Sequence, residues 1–113
     1  MKDFNECLEI TNNVANWWID TKQPDPHTTL EAHRRLTGAL FFLESIRSEC
    51  KKKFDAARFN AIESNQSVSA AQATAEKEVP ELYMLRRMMD AGYEMSGSMR
   101  TYISFMKMEK NES

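Results

Sequence analysis

The chain has 113 residues, a length that suits one domain. Hydrophobic residues make up 42% of it and charged residues 28%, which argues against both a disordered tail and a membrane protein. The net charge of -2 gives no overall attraction to nucleic acid or acidic lipid, and three glycines with three prolines are too few for a β-rich fold of this size. We therefore expect helices with few breaks.

The first predicted helix runs from about Asp3 to Asp20. Asp3 can cap its N-terminus, with Glu6 at the spacing of a capping-box partner. Its apolar side chains recur at helical spacing. They are Phe4, Cys7, Leu8, Ile10, Val14, Trp17, Trp18 and Ile19. Pro24 and Pro26 then prevent the helix from continuing.

Two adjacent tryptophans stand near the end of this helix. Trp17 and Trp18 lie about 100° apart around a helix, so both cannot point straight into one small core. We expect one to be buried and the other to lie at the edge of the core or in a protein contact, where tryptophan often contributes binding energy. The alternative is that the two rings straddle a wide core stripe.

The second predicted helix covers residues 28 to 64. Thr28 and Glu31 have capping-box spacing just after Pro26. Apolar residues then recur at steps of three and four, with Arg47 as the one polar member of the series, as in a helix that faces a partner helix. They are Leu36, Leu40, Leu43, Cys50, Phe54, Ala57 and Ala61. A helix of this length measures about 55 Å, which indicates a hairpin of long helices.

The rest of the chain predicts a turn and a last long helix. The turn is at residues 65 to 69, and residues 70 to 78 form either a short helix or part of a helix that kinks at Pro80. The last helix runs from about residue 80 to 110. Its apolar stripe has the same 3.5-residue spacing as the second helix, so the two should pack antiparallel. The stripe comprises Leu82, Leu85, Met89, Gly92, Ser96, Met99, Ile103 and Met106.

These patterns predict a single all-α domain over residues 1–113. Its architecture would be an antiparallel hairpin of two long helices with the shorter N-terminal helix packed on it, an elongated three-helix bundle. The N-terminus has no apolar stretch typical of a signal peptide, and no run of apolar residues is long enough to span a bilayer. We therefore expect a cytoplasmic protein with no membrane partner.

Seven methionines lie between Met84 and Met108. Three of them belong to the apolar stripe, Met108 lies off it, and the others lie with Tyr102 on its flank. This flank either packs on the tryptophan-bearing helix or stays open for a second copy or another protein. A three-helix fold has a limited core, so we favour a homodimer through the flank. The candidate interface residues are Trp17, Trp18, Met84, Met88, Met95 and Tyr102.

The sequence contains no pattern of catalytic or metal-binding residues. His27 and His33 do not form a Glu-x-x-His pair, and Cys7 and Cys50 lack zinc-ligand spacing. Nucleophile, phosphate-loop and dinucleotide motifs are absent as well. We expect a protein that is not an enzyme, needs no cofactor or metal, and keeps both cysteines reduced.

The alternative function is nucleic-acid binding by the basic face of the second helix. The candidate residues are Arg34, Arg35, Arg47, Lys51, Lys52, Lys53 and Arg58. The competing interpretation is a solvated helix face with pairs such as Glu49 and Lys53 at i, i+4. Three consecutive lysines fan around a helix, which favours this second interpretation.

Residues 57 to 110, "ARFNAIESNQSVSAAQATAEKEVPELYMLRRMMDAGYEMSGSMRTYISFMKMEK", resemble small phage early-region helical-hairpin proteins of unassigned activity. Those proteins share a long helix, a turn, an alanine-rich charged segment, a break and a last helix ending in a pattern that Arg100, Ile103 and Met106 match here. The resemblance implies a setting in the host cytoplasm near recombination or replication functions, and it implies no catalytic residues. The expected function is a protein-interaction module acting as a phage accessory or host-interaction factor in recombination, replication or anti-defence.

Overall fold

The structure, a computed structural model, describes the backbone of residues 3 to 112 and the side chains of residues 3 to 107. Met108, which was predicted to lie off the apolar stripe, is not among the residues whose side chains are described. Four helices are present: α1 (Phe4–Asp20), α2 (Pro26–Glu63), α3 (Val68–Glu78) and α4 (Glu81–Glu112). Helix accounts for 89% of the described residues and none of them is in a strand, so the all-α prediction is confirmed. The arrangement differs slightly from three helices because residues 68 to 78 form a helix of their own.

The chain divides into two compact units. The first contains the residues up to Leu43 together with those from Met89 onward, and the second contains Glu44–Met88. The first unit therefore holds α1, the start of α2 and most of α4. The second unit holds the rest of α2, all of α3 and the first residues of α4.

Short polar side chains set the starts of α1 and α2. Asp3 accepts a hydrogen bond from the Glu6 backbone N–H at 2.8 Å, which confirms the predicted cap. At α2 the cap is Asp25, which accepts bonds from the backbone N–H and the hydroxyl of Thr28 at 2.9 and 3.0 Å. These bonds lower the pKa of Asp25. The predicted cap at Thr28 was wrong because Pro26 fits the first helical position, which moves the cap back to residue 25.

In the first unit, α2 and α4 run antiparallel. His33 of α2 meets Ser96 of α4, while Leu40, farther along α2, meets Gly92, which comes earlier in α4. A Cβ atom on Gly92 would lie 2.9 Å from Leu40 Cδ2, so glycine allows the close approach of the helices. The buried side chains of this unit come from all three helices. They are Cys7, Thr11, Val14, Thr29, Leu36, Ala39, Leu40, Leu43, Met89, Ser96 and Met99.

In the second unit, α2 ends in a turn that leads to α3. Asn65 has a φ of 70°, and the N–H of Gln66 bonds to the Ala61 carbonyl at 3.1 Å. This is a Schellman-type cap, in which asparagine tolerates the left-handed conformation better than most residues do. Ser67 then caps α3 by accepting a bond from the Ala70 N–H at 3.2 Å.

The core of the second unit includes one compact apolar cluster. Cys50, Val79 and Leu82 are buried together, with Ile46 and Phe54 packed against them. The other buried apolar side chains are Leu85 and four alanines, at positions 57, 61, 71 and 75. The predicted stripes of the two long helices are therefore the ones that turn inward. The helix does not continue through Pro80: α3 ends at Glu78 and α4 begins at Glu81.

Candidate protein-interaction sites

The paired tryptophans are both half-buried in the first unit. Their ring centroids are 6.1 Å apart and the rings are tilted by 39°. The expectation that one ring would be buried was wrong. The two rings straddle the edge of the core, as the 100° separation of adjacent helix positions allows.

Tyr102, at the C-terminal end of the methionine flank, packs against α1. The rings of Trp18 and Tyr102 meet edge to face at a centroid distance of 5.8 Å. The Tyr102 hydroxyl also donates a hydrogen bond to the backbone carbonyl of Pro24. Met95 of the same flank is half-buried. Within the first unit, then, Tyr102 packs on the tryptophan-bearing helix instead of standing open.

A cleft lies between α1 and α2 in the first unit, and we call it the α1–α2 cleft. Its volume is about 250 Å³. Its lining is Asn13, Val14, Trp17, Thr28, Glu31, Ala32 and Arg35. Trp17, a predicted interface residue, and Arg35, a predicted nucleic-acid residue, therefore line the same cleft. Their proximity was not predictable from local spacing, because the two residues are on different helices.

The second unit exposes an apolar strip at the start of α4. Pro80, Tyr83, Met84 and Arg87 follow the spacing i, i+3, i+4, i+7, and all four are exposed. We call these four exposed residues the α4 stripe, as distinct from the apolar stripe of the same helix that faces the core. Tyr83 is 67% exposed and Met84 is 61% exposed. Their positions place them opposite the buried side of α4, which carries Leu82 and Leu85.

Arg87 holds the Tyr83 ring in place. Its guanidinium carbon lies 5.7 Å from the ring centroid, and Nη1 donates a hydrogen bond to the Tyr83 hydroxyl at 3.1 Å. Of the predicted flank residues in this unit, Met84 is open and Met88 is half-buried. Tyr83 and Arg87 were not among the predicted interface residues, although the sequence shows them as an aromatic–arginine pair at i, i+4.

The seven basic candidates do not gather into one surface. Three of them form ion pairs within α2: Arg34 with Glu31 at 3.6 Å, Arg47 with Glu44 at 2.8 Å and Lys52 with Glu49 at 3.8 Å. The ion pair at Glu49 thus involves Lys52 and not the predicted Lys53. Lys51, Lys52 and Lys53 are exposed and spread over about 200° of the helix. This pattern favours a solvated helix face.

A polar contact joins α2 and α4 inside the first unit. His33 Nε2 and Ser96 Oγ are 3.0 Å apart, and Ser96 is buried while His33 is half-buried. Burial, followed by the positive charge of Arg100, lowers the pKa of His33 from its ordinary value of 6.5. The neutral ring is therefore the form that the folded protein favours.

The lowered pKa of His33 predicts a loss of stability in mild acid. Below about pH 6.5 the unfolded chain binds a proton at His33 more readily than the folded protein does. The free energy of unfolding should therefore decrease as the pH is lowered, until the pH is below the pKa of His33 in the folded protein. Urea unfolding between pH 5 and pH 8 would measure this decline. We expect His33→Gln to flatten it and His27→Gln, which leaves His33 in place, to retain it. An unchanged slope in His33→Gln would contradict the assignment.

The described residues contain no group of three or more His, Cys, Asp or Glu side chains placed to hold a metal ion. Cys7 and Cys50 are both buried, and neither is part of a disulfide bond. Burial raises the pKa of the Cys50 thiol, which disfavours the reactive thiolate. Within the described part of the chain, no helix combines the length and apolar character needed to cross a membrane.

Comparison of the chain with protein-family models, with curated proteins and with solved structures finds no match.

Proposed function

We propose that the chain is a non-enzymatic protein-interaction module whose contact surface is the α4 stripe. The observation that carries this proposal is the contrast among the methionines of one helix. Met84 is 61% exposed beside an exposed tyrosine, whereas Met89 and Met99 are at most 1% exposed. Tyrosine, methionine and arginine are enriched at protein interfaces. Arg87 contacts the exposed Tyr83 ring, so the two side chains form one surface feature.

The partner that we propose is a second copy of the chain. A symmetric dimer places the same patch on both sides of the contact, so the patch must complement itself. The α4 stripe meets this condition, because it carries both a cation, Arg87, and an aromatic ring that attracts cations, Tyr83. The stripe offers on the order of 400 Å² per copy, below the roughly 800 Å² of a stable interface, so the dimer should be weak.

The setting that we propose is that of a phage-encoded accessory or host-interaction factor in recombination, replication or anti-defence. Its support is the resemblance of residues 57 to 110 to small phage early-region proteins. The α4 stripe lies within these residues.

Sedimentation velocity across a wide concentration range tests the proposal. We expect the wild-type protein to shift from monomer to dimer at tens to hundreds of micromolar. Met84→Glu should remain a monomer, because a contact would have to bury an unpaired carboxylate. The matched control is Ala56→Glu, which adds the same charge at an exposed position of α2 in the same unit and should still dimerise.

Two outcomes would contradict the proposal. A wild-type monomer throughout the range would reject the second copy as partner, and a photo-crosslinker at position 83 that captures no protein from host lysate would then reject the interaction surface itself. DNA binding that weakens steeply with salt and is lost in the double variant Lys51→Glu, Lys52→Glu would support the alternative function instead.

A further inference from the structure

The α1–α2 cleft has an apolar floor and a polar rim. Val14, Trp17 and Ala32 form its apolar part. The volume of about 250 Å³ equals that of roughly eight liquid waters. This is smaller than the pockets that hold drug-sized ligands, at about 300–1,000 Å³, but large enough for one apolar side chain. A half-buried tryptophan in such a cleft is typical of an anchor for a partner's side chain.

The rim of the α1–α2 cleft carries an uncompensated positive charge. Glu31 and Arg35 are one helical turn apart, but Glu31 pairs with Arg34 at 3.6 Å. No ion pair to Arg35 is found among the described residues. Arg34 lies outside the lining of the cleft, and its pairing with Glu31 leaves Arg35 as the unpaired charge of the rim. The planar guanidinium of arginine matches a carboxylate in geometry as well as in charge.

We propose that the α1–α2 cleft is a binding site for an acidic peptide segment of a partner protein. An apolar side chain of that segment contacts Trp17 on the cleft floor, and an Asp or Glu side chain close to it in sequence binds Arg35. Asn13, whose amide lines the rim, can donate to the peptide backbone. This site is separate from the α4 stripe and lies in the other unit.

A peptide fits the cleft better than a nucleic acid does. Nucleic-acid binding draws its affinity from several phosphate contacts, whereas the rim presents a single unpaired cation beside the Glu31 carboxylate. One apolar side chain with one carboxylate uses both features of the cleft and leaves no further anion to place.

Amide NMR of the ¹⁵N-labelled protein, titrated with peptides, tests this inference. The probes are N-acetylated, C-amidated hexapeptide pools in which Leu, Met, Phe or Trp lies one to three residues from Asp or Glu, within a Gly and Ser background. We expect the shifts to be largest at the Trp17 indole N–H and at residues 13 to 17 and 28 to 35, with millimolar affinity. Pools with Asn and Gln in place of the acids, or with Ala in place of the apolar residue, should bind at least about tenfold more weakly.

Three variants separate recognition from general effects. Arg35→Gln should weaken binding of the acidic peptides at least about tenfold. The control is Arg58→Gln, which makes the same change at an exposed position of α2 in the second unit and should leave peptide binding unchanged. Glu31→Gln should tighten binding of the acidic pools several-fold, because Glu31 is the one acidic side chain among the described residues that line the cleft. Met84→Glu should leave peptide binding unchanged, so failure of the dimer and failure of this site are distinguishable.

The inference would be overturned by any of three results. One is the absence of localised shifts with every pool at 10 mM. Another is equal binding of acidic and amide pools by the wild type. The third is stronger, salt-sensitive binding of an eight-residue thymidylate oligomer to the same residues, which would assign the α1–α2 cleft to nucleic acid.

Discussion

Replacing Met99 with glutamate should unfold the protein. Met99 is fully buried in α4 of the first unit, at 0% exposure. A carboxylate there would lose its hydration without gaining a partner charge, which costs more than about 4 kcal/mol. Small domains are stable by only about 5–15 kcal/mol, so Met99→Glu should lose most of its helical circular dichroism or unfold at far lower urea concentration.

The matched control is the same substitution at Met84. This side chain is 61% exposed on the same helix, so Met84→Glu should change the free energy of unfolding by no more than about 0.5 kcal/mol. The two substitutions test a division among the described methionines of α4: Met89 and Met99 are buried in the core, whereas Met84 is exposed. Equal destabilisation by both substitutions would contradict this division.

Truncating Leu36 to alanine should cost about 2–5 kcal/mol of stability. Leu36 is completely buried in the first unit, on the side of α2 that faces inward. Alanine would leave a cavity as well as remove apolar contact, and close-packed neighbours fill such a space only in part. Urea unfolding monitored by circular dichroism would give the difference between the variant and the wild type.

Leu30→Ala supplies the comparison on the same helix and in the same unit. Leu30 is 43% exposed, so its truncation should cost less than about 1 kcal/mol. Both substitutions remove the same atoms and change helix propensity equally, and they differ only in burial. A loss at Leu30 as large as that at Leu36 would show that the inward-facing stripe of α2 is assigned wrongly.

Most of the helical architecture was predictable from local patterns. Steps of three and four between apolar residues place them on one side of a helix whatever its neighbours are, so Leu36, Leu40 and Leu43 could be assigned to the core. The cap at Asp3 was predictable for the same reason, because its partner is three residues away. The cap of α2 was not predictable in this way, since both Asp25 and Thr28 are residue types that cap helices. The fixed φ of Pro26 decides between them, because it suits the first helical position.

The candidate sites were much less predictable. The α1–α2 cleft and the contact between Trp18 and Tyr102 both depend on where α1 packs. The spacing of residues along the chain does not specify that packing position. Trp18 and Tyr102 are 84 positions apart in sequence yet in ring contact. Ion pairs were also uncertain in register, because Glu49 has basic residues at both i+3 and i+4 and rotamers select between them.

The sequence by itself determined which side of each long helix turns inward, because helical periodicity is a property of the chain alone. It left open whether a helix kinks at Pro80 or stops before it, and the structure shows that α3 ends at Glu78 and α4 begins at Glu81. Only the tertiary structure decided which flanking side chains remain open. Tyr102 and Met84 occupy equivalent flank positions of α4, but Tyr102 is covered by Trp18 while Met84 is exposed. The physical reason is that burial beside the main stripe depends on contacts between residues distant in sequence, which periodicity does not specify.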